Sequence, residues 1–254
     1  MNITISDKKK KELFISIFHL LKSSASTINA CFTTDKLHIQ GMDKSHVCLF
    51  DLNLTKDWFC NYDVHENNEL CFDTSIFYSI ISTKCDDQNL VIKKVTEDTL
   101  SIELVNGDKK GDYSKFFTMP LVEYEYEQMN IPNVEYDAEI SLPSKKVTDM
   151  LSQLSNFGDD LNIQCFDDFV DFKTKGISEM RVNIPVDDMS SYSVVEGEDI
   201  HLTYSLVYIN KMCITNKLSS DVEFCLSNEC PMKIKYDLGN DSSLLFYIAP
   251  KLTD

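Results

Sequence analysis

Residues 141–172, SLPSKKVTDMLSQLSNFGDDLNIQCFDDFVDF, hold a complete structural unit in one line. From 141 to 155 the apolar residues recur at helical spacing, and from Leu161 to Phe172 two strand-like runs flank the acidic turn Asp167-Asp168. The unit is a helix followed by a hairpin. Working outward, the same unit recurs three times. Helical spacing returns over 7–22, 72–84 and 203–217. The matching hairpins run from Asn29 to Asp43 around Thr34-Asp35, from Leu90 to Leu104 around Thr96-Glu97-Asp98, and from Asp221 to Leu238 around Ser227-Asn228-Glu229. Alternation in Leu100-Ser101-Ile102-Glu103-Leu104 and in Met232-Lys233-Ile234-Lys235-Tyr236 predicts antiparallel sheets with one buried face.

The first and third helices begin 134 residues apart and the second and fourth 131 apart, so the 254-residue chain reads as two similar halves. Between them, residues 119–136, MPLVEYEYEQMNIPNVEY, carry two prolines, four Glu and no basic residue, which predicts an exposed connecting stretch. The expected organisation is therefore a domain over 1–118, a connector over 119–136 and a second domain over 137–254.

Composition narrows the function. A chain that is 43% apolar, with 15 Phe and 11 Tyr, can bury a sizeable core, and Trp58 is expected within it. The nine cysteines (31, 48, 60, 71, 85, 165, 213, 225 and 230) include no C-x-x-C pair and sit mostly in apolar stretches, which predicts reduced thiols and no zinc site. Lys8 to Lys11 followed by Leu13 to Leu21 has the outline of a secretory leader. His19 and Lys22 interrupt the apolar block, however, and residues 13, 14, 17, 18, 20 and 21 share one helical face, so an amphipathic helix on a core is expected instead. No run of eighteen apolar residues occurs, and no membrane partner is expected.

No phosphate-cradling glycine loop, G-x-S-x-G or H-E-x-x-H occurs. With 41 acidic residues, the pairs Asp86-Asp87, Asp159-Asp160 and Asp187-Asp188 arise by composition alone. Neither catalysis nor a cofactor is expected.

The net charge of −17 argues against a nucleic-acid binder until its distribution is read. The four helical stretches carry +3, 0, +1 and +2, which leaves −23 on everything else. A basic helical face with an acidic exterior suits a surface that holds a polyanion loosely and repels it elsewhere. The candidate DNA-facing residues are Lys8, Lys9, Lys10, Lys11, Lys22, Lys84, Lys145, Lys146, Lys211 and Lys217. Lysine is a mobile point charge without a bidentate fork, and suits non-specific phosphate contact.

Residues 40–49, Gln-Gly-Met-Asp-Lys-Ser-His-Val-Cys-Leu, resemble the Q-x-M-D-x-S-H-V-x-L signature of the eukaryotic and archaeal sliding clamp family, proliferating cell nuclear antigen. Leu245-Phe246-Tyr247-Ile248-Ala249-Pro250-Lys251 resembles the family's closing Y-x-L-A-P-K, and Gln128 to Tyr136 is similar to its interdomain connecting loop. The resemblance implies an α+β DNA clamp fold of two like domains, with three chains head to tail in a ring around double-stranded DNA. It also implies partners that include DNA polymerase and a clamp loader, in the nucleus or another site of replication. By the same resemblance, partner motifs dock at Met42, His46, Val47, Leu49, Met129, Ile131, Tyr136, Pro231, Tyr247, Ile248, Ala249 and Pro250, and subunits join through Tyr113, Lys115, Phe117, Met180 and Val182. Two positions depart from the family: Asp167 stands where eukaryotic relatives carry a modified lysine, and Ile214 where a lysine is typical. The alternative reading is a monomeric or dimeric processivity factor that binds DNA directly, which needs a stronger basic face.

Overall fold

Each of the four helical stretches forms, the first with two residues between it and a strand and the other three directly on one. The structure is a computed structural model and describes residues 1–84, 87–106, 113–123, 128–197 and 200–251. Cys85, Asp86, Asp112 and residues 124–127 of the connecting stretch lie outside the described residues. The chain runs β1 (Asn2–Ile5), α1 (Lys8–Ser24), β2 (Thr27–Phe32), β3 (Lys36–Met42), β4 (Cys48–Thr55), β5 (Asn61–Asp63), β6 (Asn68–Asp73), α2 (Thr74–Ile81), β7 (Gln88–Thr96), β8 (Thr99–Asn106) and β9 (Lys115–Pro120). It continues as β10 (Ala138–Pro143), α3 (Ser144–Leu154), β11 (Asp160–Cys165), β12 (Phe169–Lys175), β13 (Glu179–Pro185), β14 (Ser191–Val194), β15 (Ile200–Ser205), α4 (Leu206–Met212), β16 (Asp221–Leu226), β17 (Met232–Gly239) and β18 (Ser242–Ile248).

Three helices are shorter than their hydrophobic spacing predicts. Residues 72–73, 141–143 and 203–205 belong to β6, β10 and β15, because extended backbone persists up to the residue that caps the next helix. Asp7 caps α1 by accepting from the Lys10 backbone N–H at 2.8 Å, and Asp73 caps α2 by accepting from that of Ile76 at 2.8 Å. Lys84 and Lys217 consequently lie beyond the ends of α2 and α4.

The chain forms two compact units. One comprises residues 1–44, 51–129 and 238–243; the other comprises 45–50, 130–237 and the chain from 244 onward. The main division, between Met129 and Asn130, falls inside the stretch 119–136.

In the first unit an antiparallel sheet has the order β5-β1-β7-β8-β9, and β2 pairs antiparallel with β3 and β6. Thr96 pairs with Thr99, so Glu97 and Asp98 are the whole turn between β7 and β8. The core is aromatic: Phe14–Phe18, Phe18–Phe77 and Phe72–Phe77 have ring centroids 4.8, 4.5 and 4.7 Å apart, and these rings tie α1 to α2 and β6. Burying each such side chain stabilises the fold by about 1.5–3 kcal/mol. Trp58 is 0% exposed beside them, and its indole N–H donates to the Leu238 carbonyl at 3.1 Å.

The second unit repeats the plan, with sheet orders β13-β12-β11-β15 and β14-β10-β16-β17-β18. Val147, Leu151 and Leu154 from α3 and Leu206, Ile209 and Met212 from α4 are buried on it. The Thr148 hydroxyl donates to the Cys213 carbonyl at 2.9 Å, and the Tyr236 hydroxyl to that of Met212 at 3.1 Å, which fixes the C-terminal end of α4. The fold is thus α+β, with two helices on antiparallel sheets in each unit.

Candidate functional site

The candidate lysines separate into four groups once placed. Lys8 and Lys9 in α1, and Lys145 and Lys146 in α3, are exposed in the first turns of their helices, which contain no acidic residue. A cation there works against the helix dipole, at a cost of roughly 0.3–1 kcal/mol each at low ionic strength. The same placement adds side-chain charge to the positive end of the helix, so the field that an external anion meets is reinforced.

Lys211 and Lys217 are also exposed, but Lys211 sits in the last turn of α4, where a cation is favourable for the helix itself. Lys22 and Lys84 are half-buried, and the Lys22 ammonium lies 3.8 Å from the ring centre of Tyr78.

Two expectations are corrected. Lys11 is 2% exposed and donates to the Gln88 carbonyl; it falls on the buried face of α1, three residues before Phe14, and cannot meet a phosphate. Lys10 is half-buried, with its ammonium 2.6 Å from the Trp58 carbonyl and 5.4 Å from the Trp58 ring centre, so its charge is largely committed within the fold. Helical periodicity could have separated these two from Lys8 and Lys9.

The candidate docking residues fall in both units. In the first, Met42 ends β3 and is half-buried. Met129 is half-buried too, and its backbone is gripped by Gln40: the Met129 N–H donates to Gln40 Oε1 at 2.7 Å, and Gln40 Nε2 donates to the Met129 carbonyl at 3.1 Å. Upstream, Leu121 N–H bonds to the Asp98 carbonyl at 2.8 Å and Val122 N–H to that of Cys71 at 2.9 Å, so the connecting stretch is attached at both ends of its described part in this unit. The sequence reading used Gln40 only as a letter of a signature, and missed this role.

In the second unit His46 is exposed with φ of 56°, a left-handed conformation uncommon outside glycine and concentrated at functional loops. Val47 and Leu49 are half-buried, and the Val47 carbonyl accepts from the Ala249 N–H at 3.1 Å. Ile131, Tyr136, Tyr247 and Pro250 are half-buried, and Pro231 and Ala249 exposed. Ile248 is 0% exposed, a correction: alternation along β18 turns it into the core while Tyr247 faces outward, so its side chain is not a contact for a partner. Burial, then the neighbouring Tyr247, Cys225 and Cys230, push the Tyr136 phenol well above its ordinary value. Lys233, which the sequence reading did not single out, holds its ammonium 4.6 Å from the Tyr136 ring centre.

The candidate interface strands both terminate sheets: β9 ends β5-β1-β7-β8-β9, and β13 ends β13-β12-β11-β15. Of the other sheet ends, β15 and β6 take a further backbone bond from the chain, while β5 and β14 are also terminal. Lys251 N–H bonds to Thr203 of β15 at 2.7 Å, and Val122 N–H to Cys71 of β6. Tyr113 is 88% exposed, ahead of β9, while Lys115 and Phe117 are half-buried on the inward side of that strand. The outward side carries Phe116 at 69% exposure, a residue the sequence reading passed over. On β13, Met180 and Val182 alternate with exposed Glu179, Arg181 and Asn183. Val182 and Ile184 also line a cleft of about 220 Å3 with Leu142, Lys146, Val147 and Met150.

Burial pushes the thiols of Cys165, Cys213 and Cys225 up to about 12 and that of Cys31 to about 11. Among the described residues no group of three or more His, Cys, Asp or Glu is placed to hold a metal ion. No described helix is long and apolar enough to cross a membrane.

The family model described as proliferating cell nuclear antigen, N-terminal domain, matches residues 8–129, and that described as proliferating cell nuclear antigen, C-terminal domain, matches residues 130–251. Among solved structures, a chain of the PCNA2-PCNA3 complex from Sulfolobus tokodaii superposes with a TM-score of 0.87 at 21% identity, over 99% of each chain. At that identity the likeness speaks for the fold.

Proposed function

Since this chain belongs to the proliferating cell nuclear antigen family and has its clamp fold, we propose that three copies close head to tail into a ring around duplex DNA, and that the ring tethers DNA polymerase and other proteins to the template without chemistry of its own. The observation that carries the ring is the pair of sheet-terminating strands, β9 and β13, one in each unit. An open strand edge invites pairing with another chain, and two different edges on one subunit make a heterologous contact that propagates until the rotation closes.

The lysines in the first turns of α1 and α3 support the DNA-facing role, because their positions oppose helix stability and favour an external anion. A ring linked to DNA by topology needs little affinity, and few exposed lysines are enough for it. The tethering effect is one of local concentration. Partner motifs enter at the surfaces around Met129 and around Tyr136, Tyr247 and Ala249, and the clamp loader opens the ring. The protein works in the nucleus or at another site of DNA replication.

Light scattering across a dilution series at physiological salt tests the assembly. A mass three times that of the chain, persisting on dilution, is expected. A monomer at every concentration would overturn the self-closing ring and favour a processivity factor that binds DNA directly.

A further inference from the structure

A primary amide offers a donor and an acceptor side by side, as a peptide unit does, and Gln40 uses both on the backbone of Met129. We infer that Gln40 is the positioning residue of the docking surface: a latch that fixes where the connecting stretch, and with it the Met129 side chain, is held, with Asp51 and His38 setting the orientation of the latch.

The orientation follows from what each partner can do. Gln40 Nε2 also donates to Asp51 Oδ2, at 3.1 Å. A carboxylate only accepts, so it fixes which end of the amide is nitrogen. With the amide flipped, Gln40 Oε1 would face both the carboxylate and the Met129 carbonyl, and Nε2 would face the Met129 N–H. All three contacts would become repulsive.

Asp51 is itself held. His38 Nε2 donates to Asp51 Oδ2 at 3.0 Å, and Asn53 Nδ2 to Asp51 Oδ1 at 2.5 Å, while the Lys36 ammonium donates to Asn53 Oδ1 at 2.7 Å. Gln40, Asp51 and His38 are 3%, 7% and 9% exposed. A buried polar chain of this kind is costly unless every member is paired, and when paired it specifies one arrangement. An apolar contact would hold the stretch with less precision in register, since hydrophobic contact has no direction.

The docking role rests on the clamp reading above, whereas the latch does not, and the test separates them. Backbone hydrogen exchange at Met129 is measured on the full chain without any partner, and affinity is measured for a synthetic peptide carrying an aromatic clamp-binding motif. Gln40→Glu removes both amide donor bonds and sets a second carboxylate against Asp51. The new carboxylate can still accept from the Met129 N–H, but repulsion from Asp51 and from the Met129 carbonyl displaces it, so Met129 exchange is expected to speed, and the peptide to weaken, by about tenfold or more, the scale of one buried hydrogen bond. Amides in β2 should be unaffected. Asp51→Leu is expected to act in the same direction, and Asp51→Asn, which keeps an acceptor oxygen, to restore most of the protection; these two carry the test should Gln40→Glu unfold.

Unchanged Met129 exchange in both Gln40→Glu and Asp51→Leu would overturn the latch. Faster exchange with undiminished peptide affinity would overturn the positioning role. A wild-type chain with a protected Met129 amide that ignores the peptide would refute the docking reading and leave the latch intact.

Discussion

The ammonium of Lys11 is buried against the backbone carbonyl of Gln88, and the Gln88 side chain in turn donates to the carbonyl of Tyr113 at 2.7 Å. A lysine at the end of a four-lysine run therefore braces α1 against the head of β7 and, through it, the approach to β9. Removing it should behave as loss of a buried hydrogen bond to a charged group. Lys11→Met is expected to lower stability by about 1.5–3 kcal/mol, measured by urea denaturation, with no change in the salt dependence of binding to linear duplex DNA. The triple variant of Lys9, Lys145 and Lys146 to Ala should do the opposite. Stability stays level or rises slightly, because three cations leave the positive ends of helices, and the slope of log affinity against log salt flattens by about 0.9 for each phosphate that is no longer neutralised.

What the sequence made legible follows from period. The helices and hairpin turns are encoded by local alternation, and the turns at Thr34-Asp35 and Asp167-Asp168 lie between the strands that pair around them. Helix ends were less legible, because the apolar rhythm of β15 runs on into α4 and the Ser205 side chain at their junction makes no capping hydrogen bond. Lys11 was misjudged for a different reason: residue type suggested solvent, while its position three residues before Phe14 puts it on the inner face. Gln40 was illegible as a latch, since its partners Asp51 and Met129 come from 11 and 89 residues away.

Acid should loosen the edge at β13 before it disturbs the core. Burial alone would raise the Asp171 carboxyl, but hydrogen bonds from Arg181 and Asn183, and the Arg181 charge, outweigh it and hold the group below its ordinary value. The Arg181 guanidinium lies 2.5 Å from Asp171 Oδ2, and the Asn183 amide 2.9 Å from Oδ1, so the carboxylate anchors β13 to β12. A carboxyl depressed in the folded state contributes stability that is complete above its unfolded value, about 4, and is lost as pH falls through the folded value. Asp171→Asn should therefore be less stable than wild type at neutral pH by an amount that shrinks below about pH 4. Thermal melts of the two proteins from pH 7 down to pH 3 measure the gap; a gap independent of pH would show that the carboxylate charge plays no part.

Tyr136 offers a way to separate docking from folding. Its ring is half-buried beneath the Lys233 ammonium, and Tyr247 and Cys230 lie near it. Tyr136→Ala should weaken a motif peptide by roughly tenfold or more, as truncation of an aromatic contact residue commonly does. Lys233→Ala should leave more affinity in place, because the cation contributes about 0.5–1 kcal/mol at an exposed ring. Isothermal titration against the same peptide ranks the two, and equal losses would point to the charge rather than the ring as the contact.

The proposed ring makes its strongest demand on Phe116. It is 69% exposed on the outward side of β9, in a strand that terminates its sheet, and nothing among the described residues of its own unit covers most of that ring. A large apolar side chain on an open strand edge is an aggregation hazard unless another chain covers it. If β9 pairs with β13 of the next subunit, Phe116→Asp puts a charge into a desolvated contact and should raise the subunit dissociation constant by about 100-fold, the scale of an interface hot spot. Fold stability should not suffer, because the residue is exposed in the single chain. Val182→Asp on the opposite edge should dissociate the ring as well. Mixing the two variants should restore at most one sound joint between unlike subunits, never the three that a closed ring requires. Light scattering reads all three samples, and trimers persisting in Phe116→Asp at low concentration would exclude β9 from the joint.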